Sequence, residues 1–230
     1  MNDQTLDCVE LETGPQPRLC IVWLHGLGAD GHDFAPIVPE LGLSVPARFV
    51  FPHAPMRSIT INGGMRMRAW FDILTLERGG VEDVTAIAAS AAAVAAVIDA
   101  QREAGFPAER IVLAGFSQGG ALALHLGLRY PMRLGGIAAL SAFLVVAGQL
   151  QREAASDRYD LPIFLAHGTY DNVIELPFAE RGRDQLRAAG FAPQWHSYPM
   201  GHAVCPAEIR ALSVWLGQRA LEPGGAPGAS

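Results

Sequence analysis

Short runs of apolar and β-branched residues alternate along most of the chain with longer runs in which apolar residues recur every three or four positions. The short runs predict strands near Leu6–Glu12 and over Arg18–Leu24, Ala47–Phe51, Arg110–Ala114, Gly135–Ser141, Pro162–Ala166 and Pro193–Tyr198. The longer ones predict helices over Asp33–Leu41, Glu82–Ala104, Gln118–Arg129, Leu176–Ala189 and Pro206–Ala220. In Glu82–Ala104, Val84, Ile87, Ala91, Val94 and Ile98 fall on one face, and the many alanines suit close packing on a sheet. The strands are continuously apolar rather than alternating, the pattern of strands covered on both faces. The expectation is one α/β domain over residues 1–221, a mostly parallel central sheet with helices on both faces. The tail 222–230 (EPGGAPGAS) reads as disordered. Residues Pro52–Gly80 read as a long connection, and a connection of that length in a compact domain usually carries a task.

Composition narrows the function. Half of the residues are hydrophobic, 17% are charged and mean hydropathy is +0.20, so the chain can bury a large core. A net charge of −6 argues against binding nucleic acid through bulk electrostatics. All 17 basic residues are Arg, which excludes chemistry that needs a Schiff-base or P-loop lysine. Cys8, Cys20 and Cys205 are too few and too scattered for a disulfide framework or a zinc cluster. Cys8 and Cys20 lie in separate predicted strands that could approach each other, but buried free thiols are expected. The first residues lack the order of a signal peptide. The stretches Thr85–Ala100 and Gly135–Gly148 fall short of a membrane span, and a cytoplasmic protein is expected.

The sharpest chemical signal is Gly115-Phe116-Ser117-Gln118-Gly119, between a predicted strand and a predicted helix. G-x-S-x-G in that setting is a nucleophile elbow, in which a strained turn projects the serine hydroxyl and small residues let strand and helix approach. The base should follow a late strand, and His202 does so in Met200-Gly201-His202-Ala203. Of the other six histidines, His196 lies within a strand, His125 within a helix, and His32 and His53 in loops without an evident partner. His25 and His167 sit in His-Gly turns and are expected to brace them. The orienting carboxylate should lie between the two, at the end of another strand. Asp171 in His167-Gly168-Thr169-Tyr170-Asp171 fits, with Glu175 as the fallback; Asp72 and Asp184 fall in the wrong elements. For the oxyanion hole, the backbone N–H of Gln118 opens a helix, and the second donor is expected from His25-Gly26-Leu27-Gly28, at Leu27.

With Trp23-Leu-His-Gly-Leu-Gly-Ala-Asp30, Ile61-Asn-Gly-Gly64, Trp70-Phe-Asp72, Gly115-Phe-Ser-Gln-Gly-Gly120, His167-Gly-Thr-Tyr-Asp171 and Met200-Gly-His202 in this order, the chain resembles the phospholipase/carboxylesterase family of α/β-hydrolases. That family includes bacterial carboxylesterases and acyl-protein thioesterases, and Ile61–Asp72 is closer to the bacterial carboxylesterases. The resemblance implies an α/β-hydrolase fold with no large lid, a triad of Ser117, Asp171 and His202, and oxyanion donors at Leu27 and Gln118. It implies a serine carboxylesterase acting on a small-molecule ester of short to medium chain, with no metal or other cofactor, and it allows a homodimer. A thioesterase or lysophospholipase acting on longer chains is the alternative. A non-catalytic hydrolase-fold binding protein is the reading from another class. Trp70, Leu74, Phe143, Leu144 and Val173, with Leu27, are expected to line the acyl pocket, because each lies near a strand's C-terminal end or in the long connection.

Overall fold

A computed structural model describes residues 6–75, 81–153 and 159–221. Seven strands form the main sheet: β1 (Cys8–Glu12), β2 (Leu19–Leu24), β3 (Ala47–Pro52), β6 (Ile111–Phe116), β7 (Gly136–Leu140), β8 (Ile163–Gly168) and β9 (Gln194–Tyr198). Their order is β1-β3-β2-β6-β7-β8-β9, with β1 antiparallel to β3 and every other pairing parallel. The mostly parallel sheet is what the strand–helix alternation predicts, and it agrees with the α/β-hydrolase fold that the family resemblance implies.

Residues along each central strand point to opposite faces in turn. In β2, Cys20, Val22 and Leu24 enter one core layer, whereas Leu19, Ile21 and Trp23 enter the other. The first layer is covered by α2 (Val84–Glu103), α3 (Gln118–Gly127) and α5 (Leu176–Ala188), the second by α1 (Ile37–Leu41) and α6 (Pro206–Leu221). Two covered faces explain why β2 carries no polar side chain. Burying each such Leu, Ile or Phe contributes about 1.5–3 kcal/mol against chain entropy.

Several details refine or correct the sequence expectation. The connection Pro52–Gly80 holds a two-stranded antiparallel hairpin, β4 (Met56–Ile59) and β5 (Met65–Arg68), turning at Gly63 and Gly64. One strand reads Met-Arg-Ser-Ile and the other alternates Met with Arg, and this weak apolar signal hid them. The helix expected over Asp33–Leu41 shrinks to Ile37–Leu41, because Pro36 ahead of it and Pro39 within it limit regular hydrogen bonding. Cys8 and Cys20 are kept apart by the intervening strand β3, where Cys8 faces Pro52 and Cys20 faces Arg48; both are free thiols. Finally, α2 is 20 residues long and by length and composition could cross a membrane. Here it packs on the sheet through Ile87, Ala91, Val94 and Ile98. The short helix α4 (Leu150–Glu153) lies in the stretch expected to be irregular. The tail 222–230 lies outside the described residues.

The chain reverses its winding at β2. The connection to β3 carries α1 on one face, and the connection from β3 to β6 carries α2 on the other. The carboxyl ends of β2 and β6 therefore flank the point where the strand order switches, the place an open α/β sheet leaves a crevice. Leu24 pairs with Gly115, which sets the loop after β2 beside the turn after β6.

Candidate active site

Ser117 occupies that turn at φ 55°, ψ −121°, a conformation that side-chain-bearing residues seldom adopt. The surroundings force it: Ser117 N–H donates to the Leu140 carbonyl on β7 at 2.9 Å, while α3 starts at the next residue. A Cβ on Gly119 would collide with the Leu24 carbonyl, so α3 can lie this close to β2 only with glycine there.

His202 arrives from the loop after β9 and Asp171 from the loop after β8. The two loops are tied by Thr169 N–H to the Tyr198 carbonyl (2.8 Å) and Tyr170 N–H to the Met200 carbonyl (3.0 Å). At Gly168 a side chain would strike that same Met200 carbonyl, so the His-Gly turn is what permits the approach. His202 Nε2 lies 2.9 Å from Ser117 Oγ and its Nδ1 2.7 Å from Asp171 Oδ2. Phe116 packs against the imidazole at 4.8 Å between ring centroids.

The Asp171 carboxylate is buried and held on both oxygens. Oδ1 accepts from Val173 N–H (2.9 Å) and Ile174 N–H (2.8 Å), leaving Oδ2 for His202. His167 donates from Nε2 to the Ile174 carbonyl at 2.7 Å, closing the loop around the acid. Burial lowers the His167 pKa, so this ring stays neutral beside the carboxylate. Glu175 stands at the start of α5 on the groove wall, Asp72 accepts from Thr60, and Asp184 pairs with Arg183.

The His25 ring uses one tautomer for two bonds. Nδ1–H donates to the Gly26 carbonyl (2.7 Å), and Nε2 accepts from Ala54 N–H (3.0 Å). Burial lowers its pKa and favours this neutral form. His32 and His53, which had no partner in sequence, lie with ring centroids 5.5 Å apart and tilted at 54°, and His53 Nδ1 accepts from Gly31 N–H at 3.0 Å. His196 stacks on Phe164, and His125 is buried in α3.

Ser117 and His202 open onto a groove of about 720 Å³. Leu27, Leu74, Phe143, Leu144 and Val173 line it. Trp70, expected with them, does not: it is fully buried behind the wall, its indole N–H donating to the His25 carbonyl at 2.9 Å. The adjacent Phe71 faces the groove instead. Ile61, Ile73 and Phe178 also line it and were missed. Ile61 lies within the Ile61-Asn-Gly-Gly64 motif, but nothing in the sequence signals that Phe178, near the start of α5, faces the groove. Among the described residues no group of three or more His, Cys, Asp or Glu side chains is placed to hold a metal ion.

A hydroxyl hydrogen-bonded to an imidazole, itself hydrogen-bonded to a buried carboxylate, can surrender its proton as it attacks a carbonyl carbon. Comparison with known proteins agrees with that chemistry. Residues 8–218 match the phospholipase/carboxylesterase family profile. The chain is similar to acyl-protein thioesterase 1 of Neurospora crassa, at 35% identity over 86% of each chain. It is also similar to carboxylesterase SOBER1 of Arabidopsis thaliana, at 32% identity over 88% of this chain and 91% of that one. The SOBER1 crystal structure superposes with a TM-score of 0.83 at 31% identity, over 87% of this chain and 98% of that one. Zea mays acyl-protein thioesterase 2 gives a TM-score of 0.81 at 29% identity, over 92% and 99%. These relatives are ester and thioester hydrolases of the same fold, and the chain is a serine hydrolase. It belongs to the phospholipase/carboxylesterase family of α/β-hydrolases.

Proposed function

We propose that the chain is a carboxylesterase that hydrolyses short- to medium-chain carboxylic esters through an acyl-enzyme formed on Ser117. The observation carrying this reading is the Ser117–His202–Asp171 relay, at 2.9 and 2.7 Å, on the wall of an apolar groove. His202 Nε2 takes the Ser117 proton as Oγ bonds to the ester carbonyl carbon, and Asp171 stabilises the imidazolium. Collapse of the tetrahedral adduct breaks the bond to the leaving oxygen, which departs with the proton from His202. Water then enters, gives its proton to His202 and bonds to the acyl carbon; the Ser117 oxygen leaves and recovers that proton.

The developing oxyanion is received by backbone N–H groups of Leu27 and Gln118. Gln118 opens α3, where the first amides have no partner within the helix. Carbonyl and N–H point in opposite directions across a trans peptide, so the bond from His25 to the Gly26 carbonyl turns Leu27 N–H the other way. Phe71, Ile73, Leu74 and Leu144 offer apolar surface to the acyl group.

Acyl-protein thioesterase relatives and the size of the groove favour a second reading, a thioesterase acting on longer acyl chains by the same steps. Hydrolysis of p-nitrophenyl esters from acetate to palmitate, with an acyl thioester alongside, separates the two. The expected result is a rate peak at short or medium chains and a loss of about 10³-fold or more in Ser117→Ala. A peak at long chains with faster thioester cleavage moves the assignment to the thioesterase reading. Turnover untouched by the loss of Ser117 overturns both, whereas no turnover at any length together with no fluorophosphonate adduct favours a non-catalytic binding protein.

A further inference from the structure

Gln118 is 1% exposed, yet it is the residue that follows the reactive serine, and no step above uses its side chain. Both ends of the amide are engaged. Oε1 accepts from Trp70 N–H at 2.8 Å, and Nε2 donates to the Phe71 carbonyl at 2.8 Å. The side chain thus acts like a short piece of strand laid along the backbone of residues 70 and 71. The same segment is held by the Trp70 indole on the His25 carbonyl, and by the Ser90 hydroxyl of α2 on the Trp70 carbonyl. Just beyond this clamp, Phe71, Ile73 and Leu74 form one wall of the groove. A single residue therefore joins the reactive turn to the apolar wall.

We propose that the Gln118 side chain is a positioning residue that sets acyl-chain selectivity, by holding the Phe71–Leu74 wall in register with Ser117. The inference rests on the esterase reading above and assigns that wall to the acyl chain. Altering the clamp moves the surface that the outer methylenes touch while leaving the relay in place. The penalty should then grow with chain length, because acetate does not reach the displaced wall.

A Gln118→Glu variant gives the test a switch. A neutral carboxyl reproduces both bonds, its carbonyl accepting from Trp70 N–H and its hydroxyl donating to the Phe71 carbonyl. The carboxylate has only acceptors, and one of them faces the Phe71 carbonyl. Burial favours the neutral form, so the switch lies above the usual carboxylate range. The readout is the ratio of kcat/KM for p-nitrophenyl octanoate to that for the acetate. A pH effect common to both esters cancels in the ratio.

Gln118→Met, which keeps the volume and loses both bonds, should lower the ratio roughly tenfold or more at every pH. Gln118→Glu should match the unsubstituted protein near about pH 5 and fall toward the Met variant near about pH 9. If Met does not fold, the Glu variant alone carries the test. A ratio that stays constant or rises in the variants, or that ignores pH in Gln118→Glu, overturns the proposal. Full activity in Ser117→Ala instead overturns the esterase reading, a failure the ratio cannot mimic.

Discussion

Two imidazoles in the early loops accept hydrogen bonds from backbone amides, His25 from Ala54 and His53 from Gly31. Neither amide can donate to a ring nitrogen that already carries a proton. Removing the His25 ring frees the Gly26 carbonyl and with it the direction of Leu27 N–H. His25→Ala should therefore cut kcat about 10²-fold with a small change in KM, because the lost contact strengthens only in the transition state. Steady-state kinetics on the best ester of the series checks this; a rise in KM at constant kcat would assign His25 to substrate binding instead. Burial lowers the His25 pKa below its ordinary 6.5. Below that value the unfolded chain binds a proton that the folded ring refuses, so stability falls with acidity.

At the scale of elements, α3 buries His125 and α6 buries Glu208, and the two act in opposite directions. His125 in α3 is lowered to about 4, by burial first and then by Arg129. It costs stability as the pH falls from 6.5 toward 4, where the unfolded chain is charged and the folded one is not. Glu208 in the first turn of α6 is fully buried, and burial pushes its carboxyl up to about 8. The folded state keeps a proton that the unfolded state has released, so stability is lost as the pH rises from 4.5 to 8. Glu208→Gln removes that slope: relative to the unsubstituted protein it should gain about 3 kcal/mol or more between about pH 5 and pH 8. Urea unfolding at the two pH values measures the gain, and parallel pH profiles would show that Glu208 ionises freely. His125→Gln should flatten the acid side only. The helix pattern that places these groups follows from local sequence, but the burial that shifts them exists only in the folded chain.

At the scale of the whole molecule, strand order decides what can meet. Cys8 and Cys20 are separated by β3, and burial pushes their thiols up to about 11 and about 12. Mild oxidation of the native protein should leave the mass of the monomer without the loss of two hydrogens that an internal bridge brings. A bridge formed without unfolding would contradict the strand order. The same order brings the loops after β2, β6, β8 and β9 to one edge, where Ser117, Asp171 and His202 meet across 85 residues of chain. It also gives α2 its place: a helix apolar enough for a bilayer is instead satisfied by the sheet, through a stripe of Ile and Val.

Much of this was legible without coordinates. Continuous apolar strands require two covered faces, and the Gly-x-Ser-x-Gly turn between strand and helix requires a strained serine; both are local consequences of side-chain volume and backbone sterics. The pairing of His202 with Asp171 rather than Glu175 followed from the chain order and strand-end positions that such a relay needs. Other features were not local. The β4–β5 hairpin, Met-Arg-Ser-Ile against Met-Arg-Met-Arg, has no strong apolar face, and its halves meet across a turn at Gly63-Gly64. Trp70 and Phe71 are equivalent in sequence, and contacts with distant residues, Gln118 and Ser90 on their backbone and the His25 carbonyl on the Trp70 indole, accompany the burial of one behind the wall and the exposure of the other to the groove. Sequence by itself determined which residues could react, because reactivity begins with residue type in a local turn. Tertiary structure alone decided the shape of the groove around them, because that shape is made by contacts between segments far apart in the chain.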